Sequence, residues 1–361
     1  MRPFHAVLAL ALLLAAGCGG DDPTGPGDLP GVVDLSEPWR ASTPEAEGID
    51  PAGLAEAVDS AAELGFVRAL LVARNGRLVE ESYFGNDNER TVFDVHSVTK
   101  TVTGLLVGMA VDDGALDVED LMVDWLPADD VRAEHGGIRV RHLLTMTSGI
   151  QWSEEEDLRP WIESGRPVGY VLDRPVVAEP GEQFTYSSGN SHLLSAIVAA
   201  ATGGDGLAFA EERLLGPLGI TEGNWITFGG QPLGGFGLRM PARDMARLGQ
   251  LVLQRGRSGS RTLVSERWID EAFSEQVIPG GSDGVLDGEG YGYQVWTART
   301  NPRSLVMIGF GGQFVWMVPE LDLMVVATTR WSTSRPEESQ EQTGLLAALI
   351  RDLVIPSVEG P

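Results

Sequence analysis

A chain of 361 residues with 43% hydrophobic content is long enough to bury a large core, as one large domain or two closely joined ones. Its 52 acidic residues outnumber 26 basic ones, and the net charge of −26 argues against nucleic acid or an anionic membrane surface as partner. The acids are scattered apart from short runs such as Glu154-Glu155-Glu156-Asp157, which read as a solvating surface.

In chain order, Arg2 precedes an apolar run over 6–16, too short to span a bilayer and suited to a signal h-region. The run ends in Leu14-Ala15-Ala16-Gly17-Cys18, which resembles a bacterial lipoprotein cleavage box. That resemblance implies a signal peptide over 1–17, acylation of Cys18 and a lipid-anchored, exported protein facing periplasm or exterior. An ordinary secretory signal is the alternative. Cys18 is the sole cysteine, so no intramolecular disulfide is possible. Residues 18–42, rich in Gly, Pro and Asp, read as a flexible tether.

Asp50-Pro51 predicts a helix start, running to about residue 64. The β-rich runs 69–73 and 77–83 flank Arg74-Asn75-Gly76, a hairpin signal. A helix is expected from Ser97, then helical segments at 141–147, 191–201, 207–215, 242–254 and 265–273. Strands are expected at 292–297, 305–308, 314–318 and 323–329, and a closing helix at 343–355. The expected architecture is α+β: an antiparallel sheet built from both chain ends and flanked by helices, with a mostly helical region inserted. The domain spans 43–356, with sheet parts at about 43–95 and 285–356 and the helical part at about 97–284.

Chemistry enters with Ser97-Val98-Thr99-Lys100, because Lys100 is the only lysine in the chain. A guanidinium cannot shed its proton inside a protein, whereas a buried ammonium can. Ser97 and Lys100 would lie one turn apart on one helix face. A serine beside such a base is the basic unit of acyl transfer. The alternative is a leftover of lysine-poor composition on a solvated face.

The wider pattern resembles the penicillin-recognising serine hydrolase superfamily, in its class C β-lactamase-like branch of esterases, DD-peptidases and nylon-oligomer amidases. The resemblance covers roughly 43–355. It is carried by Phe93-Asp94-Val95-His96-Ser97-Val98-Thr99-Lys100, Leu143-Leu144-Thr145-Met146-Thr147-Ser148-Gly149-Ile150, Pro180-Gly181 and Phe184-Thr185-Tyr186-Ser187-Ser188-Gly189-Asn190. Gly237-Leu238, Arg243-Asp244-Met245-Ala246-Arg247, Tyr291-Gly292-Tyr293 and Gly309-Phe310-Gly311-Gly312-Gln313 extend it.

The resemblance implies Ser97 as nucleophile, with Lys100 and Tyr186 sharing proton transfer and nearby positive charge making the phenol more acidic. Which of the two is the acylation base stays open. It also implies an oxyanion hole from the backbone N–H groups of Ser97 and Gln313, and no cofactor or metal. Gly311 and Gly312 would let substrate approach the strand edge, or serve as a turn. Two departures bear on substrate. Ser188 stands where relatives often have asparagine, leaving its substrate contact open. Phe310 stands where β-lactamases and penicillin-binding proteins carry the basic group that helps bind a substrate carboxylate. The expected substrate is therefore a neutral ester, amide or peptide. The alternatives are a β-lactam or peptidoglycan stem peptide on the same machinery, and a non-catalytic binding protein of the same fold.

Other signals carry less. Gly280-Gly281-Ser282-Asp283-Gly284 fits a nucleophile elbow but lacks the strand and helix around it. Asp283, Asp287 and Glu289 lack calcium-loop spacing. His96, His135, His142 and His192 form no zinc pattern. His142 and His192 are expected to make structural hydrogen bonds. Trp152 and Trp161 could face substrate or core.

Overall fold

The computed structural model describes residues 31–228, 230–280, 285–286 and 289–359. The expected signal segment, Cys18, and Ser282, Asp283 and Asp287 lie outside the described residues. Helix α1, Pro51–Glu63, begins where Asp50 accepts hydrogen bonds from the N–H groups of Ala52 and Gly53, with proline in its first turn. Strands β1 (Val67–Arg74) and β2 (Arg77–Tyr83) follow. Asn75 and Gly76 between them have φ of 53° and 71°, the paired left-handed residues that a two-residue hairpin requires.

A short strand β3 (Val92–Asp94) leads into helix α2 (Val98–Asp112). Helices α3 (Glu154–Glu163), α4 (Pro167–Leu172) and α5 (Ser188–Ala201) come next. Strands β4 (Asn224–Trp225) and β5 (Leu238–Pro241) join β3 in a small sheet of order β3-β5-β4, before helix α6 (Ala242–Leu253). The chain then returns through β6 (Glu289–Tyr291), β7 (Trp296–Ala298), β8 (Ser304–Gly309), β9 (Gln313–Val318) and β10 (Leu323–Thr329), and ends near helix α7 (Pro336–Leu349).

The main sheet has the order β6-β7-β8-β9-β10-β1-β2, and every neighbouring pair is antiparallel. Pairing of β10 with β1, Val326 opposite Leu71, joins the two chain ends in one sheet, the expected architecture. Both faces are covered. Ala69, Leu71, Val315, Met317 and Val326 belong to the core shared with α2, α5 and α6. Their strand neighbours Leu70, Val72, Phe314, Trp316 and Val325 face the core formed with α1 and α7. Alternate residues point to opposite faces, so burial on both sides makes these strands continuously apolar.

Three expectations need correction. The strand expected at 292–297 is two strands, because Gln294 has φ 63° and turns the chain between β6 and β7. Its side-chain amide donates to the carbonyls of Leu143 and Leu144, and its carbonyl accepts from Thr101, tying the inserted helices to the sheet. The tether expected over 18–42 is docked from Val33 onward. Val33 N–H donates to Gln254 (2.9 Å), Leu35 N–H donates to Ser258 (2.8 Å), and Leu35 is buried. No helical segment is expected between 147 and 191, yet α3 and α4 lie there.

Candidate active site

Ser97 occupies the N-cap position of α2, yet its hydroxyl makes no capping bond to the helix. The oxygen is left for other partners. His96 before it has φ 47°, a left-handed conformation costing a non-glycine residue about 1 kcal/mol or more. The turn is held by Asp94, which accepts from His96 N–H (3.1 Å), and by Thr99, whose hydroxyl donates to the His96 carbonyl (2.6 Å). Strain next to a serine freed from capping marks a position built to present that side chain.

One turn along α2, Lys100 is 1% exposed. Its Nζ lies 3.1 Å from Ser97 Oγ, 2.9 Å from Ser188 Oγ and 2.9 Å from the Gly235 carbonyl. A Cβ on Gly235 would lie 2.8 Å from the Ser188 side chain, so glycine permits this approach. Burial lowers the Lys100 pKa from its ordinary 10.5 to about 8, although the Glu154 carboxylate opposes the shift. The solvated-face alternative for this lysine is excluded.

Tyr186 presents its ring face to Lys100 Nζ, 4.8 Å from the centroid. The ring stacks on Trp296 (5.8 Å) and meets Tyr291 edge-on (6.3 Å). Burial pushes the phenol well above its usual value, a hydrogen bond with Ser97 pulls it partly back, and Glu154 adds to the rise. The expectation of a more acidic phenol is therefore reversed, because burial outweighs the lowering effect of the hydrogen bond with Ser97.

The strand edge comes close to the turn before Ser97 through Gly309: a Cβ there would lie 2.3 Å from the Val95 carbonyl. Gly311 (φ 77°) and Gly312 (φ 92°) form the turn from β8 to β9. The Gln313 side chain braces this turn, donating to Thr329 Oγ1 (2.8 Å) and to the Phe310 carbonyl (3.4 Å), and Thr329 Oγ1 donates to the Gly311 carbonyl. Phe310 is 36% exposed and stands with His96 (5.7 Å) and Trp331 (6.4 Å) as an aromatic wall at the residue that precedes the serine. A basic group at position 310 is absent, and apolar surface takes its place.

Ser188 is buried, with its hydroxyl engaged inside the protein. It accepts from Lys100 and donates to Glu154 Oε2 (2.8 Å), which leaves its expected role in substrate binding without a free hydroxyl. Asn190 is also internal, accepting from Ser148 Oγ (2.9 Å). Trp152 and Trp161 are core residues: both are buried, their rings meet edge-on at 5.6 Å, and their N–H groups donate to Glu154 and to the Pro167 carbonyl. His142 accepts from Arg139 N–H, and buried His192 is lowered to about 4. Both have structural surroundings.

Sequence reading missed Glu154 and Trp331. The run 154–157 is only half solvating, because Glu154 and Asp157 turn inward from α3 while Glu155 and Glu156 stay exposed. Ser153 accepting from Glu156 N–H is a capping signal that places Glu154 and Asp157 on one helix face.

The β-lactamase family profile matches residues 57–349. The chain is 24% identical over 316 residues to a 6-aminohexanoate-dimer hydrolase of Paenarthrobacter ureafaciens, covering 79% of this chain and 77% of that protein. It is 27% identical over 216 residues to esterase EstB of Burkholderia gladioli, covering 51% and 55%. Among solved structures, the octameric penicillin-binding protein homologue from Pyrococcus abyssi superposes with a TM-score of 0.69 at 19% identity, covering 85% of this chain and 77% of that one.

Proposed function

The chain belongs to the β-lactamase family of serine hydrolases, and on that premise we propose that it cleaves a neutral ester or amide through an acyl-enzyme on Ser97. The observation that carries the reading is the Lys100 amine, buried, of lowered pKa, and 3.1 Å from Ser97 Oγ. Ser97 attacks the substrate carbonyl carbon as Lys100 Nζ takes its hydroxyl proton. The carbonyl oxygen becomes an oxyanion, received by the N–H groups of Ser97 and Gln313. Collapse breaks the bond to the alcohol or amine, which leaves with a proton.

Tyr186, held neutral by burial, suits the role of donor to that leaving group, which leaves a phenolate beside the protonated Lys100. Water then attacks the acyl carbon, gives up a proton to the same pair, and Ser97 departs as its hydroxyl. The base left open by sequence is thus assigned to Lys100, since the phenol titrates in the wrong direction for a base near neutrality.

Phe310 supports a neutral substrate, because the aromatic wall of Phe310, His96 and Trp331 offers no fixed cation for a carboxylate. The named activities of the hydrolase and esterase relatives are compatible with this reading. Burst kinetics with a nitrophenyl ester, compared with a nitrocefin-type β-lactam, test it. A burst with the ester and slow β-lactam turnover is the expected result. Preference for the β-lactam would replace the substrate assignment, and no covalent adduct with either would remove the acyl-enzyme. We further propose a lipid anchor at Cys18, on the cleavage-box pattern alone.

A further inference from the structure

Glu154 has no part in the proton transfers just described, yet its carboxylate reaches the catalytic lysine through one intervening hydroxyl. Its Oε1 accepts from Ser188 N–H (2.6 Å) and from Trp152 Nε1 (2.7 Å), while Oε2 accepts from Ser188 Oγ (2.8 Å). Ser188 Oγ is in turn 2.9 Å from Lys100 Nζ. A hydroxyl has one proton to give. With that proton committed to Glu154, Ser188 offers Lys100 only lone pairs.

The consequence lies in the neutral amine, the form that acts as base. It has two N–H donors and one lone pair. The Gly235 carbonyl can only accept, and Ser188, its proton taken, can only accept as well. Tyr186 presents its ring face. Among the described neighbours of Nζ, Ser97 is then the one hydroxyl left to donate to the lone pair. We infer that Glu154 is a positioning residue: by holding the Ser188 proton it turns the Lys100 lone pair onto the nucleophile. This rests on the acyl-enzyme reading and adds to it a residue that acts through two others.

The charge of Glu154 has a second, separable effect. The groups facing Lys100 are Glu154 from α3, Tyr186 from the segment before α5, and His96 from the turn before α2, with Tyr291 of β6 behind Tyr186. The carboxylate is the one among them that favours the ammonium. Removing it lowers the pH at which Lys100 becomes neutral.

The test uses a nitrophenyl ester with the full chain, following the acylation burst and steady state against pH. Glu154→Gln keeps the shape but brings an amide N–H to the Ser188 oxygen, freeing the serine proton to compete for the lysine lone pair. The expected result is a fall in kcat of about 10²-fold, the scale of a misplacement of about 1 Å, with KM little changed. The acid limb of kcat/KM should also move to lower pH. Ser188→Ala breaks the link but retains the carboxylate, so kcat should fall with less movement of the limb. The double variant should be no worse than the poorer single one, because Glu154 acts through Ser188.

A Glu154→Gln enzyme with kcat within a few-fold of wild type overturns the inference, whether or not the acid limb moves. So do additive losses in the double variant. If Glu154→Gln does not fold, Ser188→Ala decides alone, and wild-type kcat in that variant overturns the inference. Absence of a covalent adduct on Ser97 of the wild-type protein would overturn the acyl-enzyme reading itself, and is distinguishable because it precedes any substitution.

Discussion

Ser97 Oγ and Lys100 Nζ lie 3.1 Å apart on adjacent turns of one buried helix, and the lysine ends among hydrogen-bond acceptors rather than against a carboxylate. A buried ammonium in direct contact with a carboxylate would be held protonated. Here the nearest negative charge is kept one hydroxyl away, and burial wins. The geometry supplies an amine that can be neutral near pH 8 beside an uncapped serine.

The first prediction follows from that neutrality. Lys100→Arg retains charge and stem but cannot be deprotonated. It should lower the acylation rate by about 10²–10⁴, the scale of lost general base catalysis. Lys100→Ala serves as the steric control. An arginine variant within a few-fold of wild type would reassign the base to Tyr186.

Stability should report the same group. Lys100 is expected to hold its proton up to about pH 8 when folded and up to about 10.5 when unfolded. Between those values the unfolded chain binds more protons, so folding stability from this group rises with pH. The difference in unfolding free energy between wild type and Lys100→Met should shift in favour of wild type across pH 8–10.5, by up to about 3 kcal/mol. Denaturant titrations at a series of pH values measure it. A pH-independent difference would mean that burial does not perturb the lysine.

Substrate charge can be probed at Phe310. Phe310→Lys restores a cation beside the serine, and should raise kcat/KM for a carboxylate-bearing substrate relative to its neutral ester. About tenfold or more is expected, the scale of one charge-assisted hydrogen bond. An unchanged ratio would show that position 310 does not meet the substrate.

Cys18→Ser tests the anchor independently of the fold. The variant should leave the membrane fraction or accumulate unprocessed. Retention of a processed, tightly membrane-bound form would remove the lipoprotein assignment.

Legibility from sequence tracked how local each feature is. The start of α1 was readable because Asp50 and Pro51 act on their own helix, and the β1–β2 hairpin because Asn75 and Gly76 set their own φ. The small sheet of β3, β5 and β4 was not, since strands of two to four residues accumulate no periodicity. The split of 292–297 turns on Gln294, held by carbonyls about 150 residues away. Within the site, Ser97, Lys100 and Tyr186 stood in readable motifs. Glu154 and Trp331 did not, because their relation to Ser97 exists only after folding.

Because Lys100 is the only lysine in the chain, its protonation can be read directly. Protein labelled with 13Cε-lysine, made without added lysines, carries one signal, and its chemical shift against pH reads the protonation of that amine. A midpoint near pH 8 is expected, with the Ser97 hydroxyl as the nearest donor to the amine when neutral. A midpoint above pH 10 would leave the amine protonated throughout the working range and contradict its role as the base.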